Sequence, residues 1–548
     1  MMLDTLGLGP PRLLAGLDHW QRLDLAAHQT VFGRPPRLSA EQLISMAGRV
    51  DLRGRGGAAF PVARKLSAVL ATTQARKRAP MIVINGAEGE PGSAKDRMLL
   101  VRSPYLVLSG AMTVADALRA ELIVVGVSDP EAARSVTEAA AAQPDLARKV
   151  RVVPVPARFV TGESSALLNA LNGKDALPSR QPGHASDRGL GKRPTLLSNA
   201  ETFAQLAVLA LLGPDEYAAT GTRAEPGTLL LTVDGAVARP AVVEVPSGVP
   251  LGHVLDLCGA ASAEGILVGG YHGGWLPGRA AWDVPVSRAG LAAAGGTLGC
   301  GVVLVPRPDC CPLTEVARVA AYLAKESSGQ CGPCMLGLPA IARSLAALAD
   351  GSGGGATVAA ARRRAAAVRG QGACQHPDGV ARFVRSALEV FGDDLAAHEF
   401  RGGCYRPPGH ELPVPAAASE TTLTLDWTRC RGHGLCAHIV PELVQLNGQG
   451  FPVMLDAPVP PWLRRDAKQA VAMCPALALR LVPAAPPPPR PGVLARSLGA
   501  ADDPVADTMA DLTVSEDWIA EIADLPKQPG GKRPGKRGGK QRRPLTRR

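Results

Sequence analysis

Two sets of three cysteines constrain this chain more than any other feature. The first is Cys331-Gly332-Pro333-Cys334 with Cys374 beyond it; the second is Cys430 and Cys436 with Cys474-Pro475. Thiolates two residues apart in a tight Gly/Pro turn converge on one metal or cluster, and a distant cysteine completes the site. Together the sets take six of the eleven cysteines. Buried inert thiols are a poor account of such spacing, although they suit Cys258, Cys300 and Cys404; Cys310 and Cys311 stay unassigned. Asp4 and Pro10 stand where a secretory leader would be basic and then apolar, and no run of about 18 apolar residues reads as a membrane span. The chain is therefore expected in the cytoplasm, with the inner face of the membrane as a peripheral location. There, clustered cysteines read as metal ligands and not as a disulfide framework. Zinc and iron–sulfur clusters are both open at each set.

At 548 residues the chain has room for roughly three to four domains of about 150 residues each. After an N-terminal extension, 1–45, residues 46–220 alternate Gly-rich turns, Ala-rich helical stretches and β-branched runs such as Met81-Ile82-Val83-Ile84 and Leu122-Ile123-Val124-Val125. That is an α/β pattern. Residues 221–308 change to short strands with turn signals, a small β-rich unit. Over 309–402 apolar residues recur at helical spacing through Val316, Ala320 and Leu323, and again through Ala381, Val384 and Leu388, which predicts a helical domain. Residues 403–420 read as a linker. Residues 421–483 make a compact unit of a size that usually needs metal or disulfide support. The last segment, 484–548, begins Pro-rich and is expected to be a disordered tail with a short amphipathic helix over 515–525. Ten Lys/Arg and no acid within 527–548 leave only about one unit of the formal +11 to the rest of the chain. Such a tail can contact acidic surfaces. With aromatics at only 3%, a nucleic-acid binder that stacks bases on rings is disfavoured.

Three loops carry the polar residues of the α/β region. Gly54, Arg55, Gly56 and Gly57, then Phe60 and Lys65, open a helical stretch. Glycines let backbone N–H groups approach a phosphate, the helix N-terminus adds positive potential, and Lys65 supplies a full charge. A tight turn needing positive φ explains the same glycines. Asn85-Gly86-Ala87-Glu88-Gly89-Glu90 follows a strand and precedes Lys95-Asp96-Arg97. Turns past strand ends are where α/β sheets bind ligands, and two carboxylates there can accept hydrogen bonds from ribose or amide groups; a solvated acidic turn is the plain alternative. Thr161-Gly162-Glu163-Ser164 starts another helix, for which ordinary capping accounts.

Taken in this order, and followed by Arg193-Pro194-Thr195-Leu196-Leu197-Ser198-Asn199-Ala200-Glu201-Thr202, the loops resemble the NADH-binding flavoprotein subunit of respiratory complex I and its relatives among NAD-linked hydrogenases and formate dehydrogenases. The resemblance runs from about Val31 to Gly402. It implies a multidomain α/β chain with a Rossmann-like FMN domain, a β-grasp domain and a helical bundle carrying an iron–sulfur site. It implies that Gly54, Arg55, Gly56, Gly57, Lys65, Asn85, Ser198 and Asn199 hold FMN. Phe60, Glu88, Glu90 and Glu163 would lie at the flavin face where NADH enters, with Glu90 and Glu163 orienting the amide and ribose; no residue is required as a catalytic acid or base. A 4Fe-4S cluster is implied at Cys331, Cys334 and Cys374, but the family's first cysteine corresponds to Ser328. A serine oxygen ligand and an open corner with a 3Fe-4S cluster are both expected forms. Asp426 to Cys436, Pro441-Glu442 and Cys474-Pro475 resemble the single-cluster α+β ferredoxins that serve cytochromes P450. Cys430, Cys436 and Cys474 then imply a 3Fe-4S cluster, or a 4Fe-4S one with His433 as fourth ligand; a zinc knuckle is the rival.

The departures concentrate on the nucleotide side. Ala87 replaces an acid, Ser164 the second of paired glutamates, Ala68 and His184 two aromatics that sandwich the adenine, and Ser198 the first of two asparagines. FMN binding is thereby expected to be more secure than NADH binding. The expected function is an FMN- and iron–sulfur-dependent NADH dehydrogenase of diaphorase type, passing electrons from NADH to an iron–sulfur cluster and a fused ferredoxin. The alternatives are an electron-transfer adaptor that no longer oxidises NADH and a non-redox scaffold. The expected partner is an electron-acceptor protein, either a membrane haem protein or a thioredoxin-like 2Fe-2S subunit.

Overall fold

In a computed structural model, residues 3–179, 183–415, 421–454, 459 and 463–483 are described. The helix expected over 515–525 and the basic tail lie outside the described residues. Fourteen strands are named in chain order: β1 (Asp4–Gly7), β2 (Met81–Gly86), β3 (Leu122–Val127), β4 (Val150–Pro154), β5 (Thr195–Asn199), β6 (Thr228–Gly235), β7 (Ala241–Pro246), β8 (Gly265–Val268), β9 (Gly274–Pro277), β10 (Val302–Val305), β11 (Thr421–Leu425), β12 (Val444–Leu446), β13 (Pro452–Met454) and β14 (Leu479–Pro483).

Four of them form a parallel sheet in the order β4-β3-β2-β5. Its central strands are buried on both faces, as parallel sheets demand. Ile82, Ile84, Ile123 and Val125 pack on one side with the helices Pro104–Leu118 and Ala200–Ala218. Met81, Val83, Leu122 and Val124 pack on the other with Leu167 and Leu171 of the helix Ser164–Leu171. The alternation is the two-residue period of a strand.

A second, mixed sheet runs β1-β7-β6-β10-β8-β9. Its edge strand β1 comes from the segment expected as an extension and pairs parallel with β7. Glu244, on β7 and 1% exposed, anchors the turn after β1: its carboxylate accepts the N–H groups of Arg12, Leu13 and Leu14 at 2.9–3.0 Å and the Thr228 hydroxyl at 2.6 Å. A buried carboxylate left without such donors would be costly.

The helices Pro312–Lys325, Leu338–Ala349, Gly355–Val368, His376–Val390 and Gly392–Arg401 surround one core of Leu313, Val316, Leu323, Ile341, Phe383 and Leu388. The stretch expected as a free linker is, over 403–415, a strap on this unit. Pro407 carbonyl accepts from Cys311 N–H at 2.8 Å, the buried Glu315 accepts from the N–H groups of Glu411 and Leu412, and Tyr271 hydroxyl donates to Pro413 carbonyl at 2.6 Å. Glu315 is the physical reason: a buried acid needs donors, and the backbone of the strap supplies them.

Residues 421–483 have a core of their own, including Leu423, Val440, Leu443, Ala467 and Leu479. Its first and last described strands, β11 and β14, pair antiparallel. Among the described residues no single helix is long and apolar enough to cross a membrane.

Candidate functional site

The loop Arg53–Phe60 lies beside the C-terminal ends of β2 and β5. It leads into the helix Val62–Arg76, and a Cβ placed on Gly56 would stand 3.3 Å from Asn199 Cβ. Gly57 has φ +97°, a conformation that side chains other than glycine's rarely adopt. Gly54, Arg55 and Gly57 line a cavity of about 130 Å³ with Lys95, Arg288 and Cys300. Arg55 N–H donates to Thr202 hydroxyl at 3.0 Å, and its buried Nε has no hydrogen-bond partner, standing 3.8 Å from Glu201. Lys65 sits behind the loop with Nζ 3.1 Å from Leu197 carbonyl, and burial lowers its pKa. Gly54 and Arg55 N–H are taken by Phe60 carbonyl and Thr202, and Glu201 also lines the cavity, but the excess of cationic side chains and the Arg55 Nε without a hydrogen-bond partner suit an anionic ligand such as a phosphate.

Lys95 and Glu201 are residues to which the sequence assigned no role. Lys95 Nζ contacts Glu201 at 2.8 Å and Asp96 at 3.2 Å, and Asn199 donates to Asp96. Burial works against the ammonium, but Asp96, Glu201 and Glu88 outweigh it and raise its pKa. Both stand inside the loop motifs, so their position was the one available signal. Arg288 opens the helix Arg288–Ala293 and Cys300 stands in the turn before β10, both between β9 and β10 of the second sheet, and neither carries a local signal.

Glu88 and Glu163 cap helices. Glu88 accepts from Asp96 N–H at 3.1 Å and Arg97 N–H at 2.9 Å at the start of the helix Lys95–Arg102. Glu163 Oε2 accepts from Ser165 N–H at 2.8 Å and Ala166 N–H at 2.9 Å, leaving Oε1 with no hydrogen-bond partner among the described residues. Glu90 turns the other way. Its Oε2 accepts Tyr271 N–H at 2.8 Å, its Oε1 is buried without a partner, and burial pushes its pKa up to about 8. Phe60 is 45% exposed, with the Arg64 guanidinium 5.8 Å from its ring. Ser198 is buried on β5, and Ala68 and His184 are exposed.

The 158–163 segment joins this region to the first cysteine set. On one side Asn85 Nδ2 donates to Gly162 carbonyl at 2.9 Å, and a Cβ on Gly89 would stand 2.5 Å from Phe159 carbonyl oxygen. On the other, Phe159 N–H donates to Glu326 at 3.0 Å and Arg158 to Ser327 carbonyl at 3.3 Å. Ser327 and Ser328 are buried, and Ser328 Oγ lies 3.8 Å from Cys334 Sγ. Cys334 sits in a π-helical turn, Pro333–Gly337, of the kind that accompanies functional sites. Burial pushes the Cys374 thiol up to about 11, with Cys334, Glu163 and Cys331 adding to it. Glu163 thus stands electrostatically next to the cysteine set as well as at the loop cluster.

In the 421–483 unit Cys430, His433, Cys436 and Cys474 line one small cavity. Gly432 and Gly434, at φ +71° and +72°, bend the chain so that it wraps this space. Asp426 carbonyl accepts from the N–H groups of Arg429 and Cys430, anchoring the loop to β11. Burial raises the Cys436 thiol, and Cys430 and Cys474 raise it further.

Residues 48–208 match the family described as the Nuo51 FMN-binding domain, 314–398 the NADH-ubiquinone oxidoreductase-F iron-sulfur binding region, and 423–481 a 4Fe-4S single cluster domain. The F subunit of NADH-quinone oxidoreductase from Mycobacterium bovis is 31% identical over 422 residues, 73% of this chain and 94% of that protein. The NADP-reducing hydrogenase subunit HndC of Solidesulfovibrio fructosivorans is 25% identical over 427 residues, 74% of this chain and 84% of that one. A crystal structure of NAD+-reducing [NiFe]-hydrogenase superposes with TM-score 0.64 at 26% identity, covering 76% of this chain and 70% of that chain.

Proposed function

The chain belongs to the family of the NADH-quinone oxidoreductase F subunit, and from that premise we propose that it oxidises NADH at an FMN site and delivers the electrons to two iron–sulfur clusters. The observation that carries the reading is the 158–163 segment, bonded to the Asn85 loop on one side and to the Glu326–Ser327 end of the cysteine loop on the other. Electron transfer needs donor and acceptor sites held at fixed separation, and a short segment bonded to both loops supports that reading.

FMN, when bound, accepts hydride from NADH and gives up electrons singly to iron–sulfur clusters. The residues present fit it. The Gly56 and Gly57 amides, the helix start behind them and the Arg55 and Lys65 side chains would supply donors for its phosphate, and Asn85, Ser198 and Asn199 line the strand ends beside them. Glu90 and the unpartnered Oε1 of Glu163 orient the nicotinamide amide and ribose. Cys331, Cys334 and Cys374, with Ser328 at the fourth corner, hold the first cluster. Cys430, Cys436 and Cys474 hold the second, with His433 at its open side. The four-stranded unit is the flavin domain, the mixed sheet the β-grasp domain and 421–483 the ferredoxin domain. The acceptor is a protein that docks at the second cluster, and the basic tail supports contact with acidic surfaces.

Anaerobic titration of the reconstituted chain with NADH tests the reading, with dithionite marking full reduction. Stoichiometric bleaching of a flavin band followed by loss of iron–sulfur absorbance is expected. Reduction by dithionite but by neither NADH nor NADPH would replace it with the electron-transfer adaptor.

A further inference from the structure

Among the described residues, one group of metal-ligating side chains lies outside both cysteine sets. Cys311 Sγ, His398 Nε2 and Cys404 Sγ all fall within 4.8 Å of one another, and Cys311 and His398 are buried. A tetrahedral zinc with Zn–S bonds of about 2.3 Å brings its ligand atoms to roughly 3.5–3.8 Å of each other, so this group needs little movement to close on a single ion. The thiolates of a cluster bind separate iron atoms and stand further apart. Cys311 Sγ and His398 Nε2 are already 3.4 Å apart.

The surroundings orient the group. His398 Nδ1 lies 2.9 Å from Leu348 carbonyl oxygen, which accepts a hydrogen bond from Nδ1–H and leaves the Nε2 lone pair facing the two sulfurs. Cys311 is the residue before the helix Pro312–Lys325, where the helix end favours negative charge. Arg406, which pairs with Asp394 at the N-terminal end of the same helix as His398, brings a cation to the side of the group where Cys404 enters.

We propose that Cys311, His398 and Cys404 bind a divalent zinc ion that pins the 403–415 strap to the helical unit. The three ligands come from the start of one helix, the body of another and the strap itself. The ion therefore acts where the backbone bond from Cys311 N–H to Pro407 carbonyl already acts. Binding releases the two thiol protons to solvent and involves no electron transfer.

The test is elemental analysis of the full chain, loaded with flavin and iron, alongside the variants C311S, C404S, C334S and C430S. One zinc per chain is expected in the parent. It should be lost in C311S and C404S with iron and flavin contents unchanged, and retained in C334S and C430S. Cobalt loaded in place of zinc should show thiolate-to-metal charge-transfer absorbance that C404S abolishes. C404S, at the half-buried position, keeps the test readable if C311S fails to fold. Zinc that follows C334S or C430S would mark misloading of the cluster sites and overturn the proposal. So would a parent with full iron and no zinc, or a Cys311–Cys404 disulfide found by mass spectrometry of the unreduced chain. Loss of NADH oxidation with the zinc pattern intact would count against the proposed function alone.

Discussion

Glu90 shows how far one residue's chemistry depends on neighbours that its own loop does not reveal. Its acidic turn was legible, but Gly270 and Tyr271, which bury it, come from the turn between β8 and β9, some 180 positions away. Burial lifts its carboxyl from 4.5 to about 8, against the pull of the Tyr271 and Gly92 N–H groups and with a smaller push from Glu88. A folded-state value above the unfolded one means that the native chain binds the extra proton. The associated stability is complete below about 4.5 and is lost as pH rises through about 8. Glu90→Gln keeps an acceptor for Tyr271 N–H and cannot ionise. The thermal midpoint of the parent should therefore fall between pH values of about 5 and 8, and that of the variant should fall distinctly less. Parallel pH profiles for the two would show that Glu90 is not held neutral. The same limit on local reading applies to Cys311 and Cys404, which the sequence left unassigned or inert because 93 positions separate them.

Elements were legible where their own residues decide them. The β-branched runs at 81–84 and 122–125 became β2 and β3, and the Ala-rich stretch at 129–142 became the helix Pro130–Ala141. β1 and the strap were not, since β1 pairs with the distant β7, and the turn after it and the strap are each held by a buried acid on another element, Glu244 and Glu315. Close helix packing is another property that no single element announces. The helices Pro104–Leu118 and Ala200–Ala218 approach so closely at Gly110 that an added Cβ would stand 1.8 Å from Phe203 carbonyl oxygen and 3.2 Å from Ala207 N. Both contacts are backbone, so no rotamer change relieves them. Gly110→Ala must separate two helices that cover the parallel sheet, and should cost about 3 kcal/mol, read as a lower midpoint in denaturant. A change below about 0.5 kcal/mol would mean that the helices part without loss and that this contact is not what fixes their spacing.

Across the whole molecule, the parts differ in what holds them folded. The parallel sheet, the mixed sheet and the helical unit have large apolar cores, whereas among the described residues 421–483 has a core of nine buried residues with Cys436 and Cys474 packed at its margin. A unit of about sixty residues with so small a core is marginal without a staple. Its cysteine loop adds a further cost, because Cys430, Cys436, Cys474 and His433 face one cavity and the left-handed Gly432 and Gly434 hold an ordering that only a ligand rewards. Cluster binding is then folding free energy for this unit and a local event for the rest. Removing iron from the full chain under reducing conditions should abolish hydrogen-exchange protection over β11, β14 and the helix Arg464–Ala472. Protection over β2 and β3, deep in the apolar parallel sheet, should survive the same treatment. Persistent protection of 421–483 after complete iron loss would show that the small core suffices, and that its cluster is a passenger on a fold that stands without it.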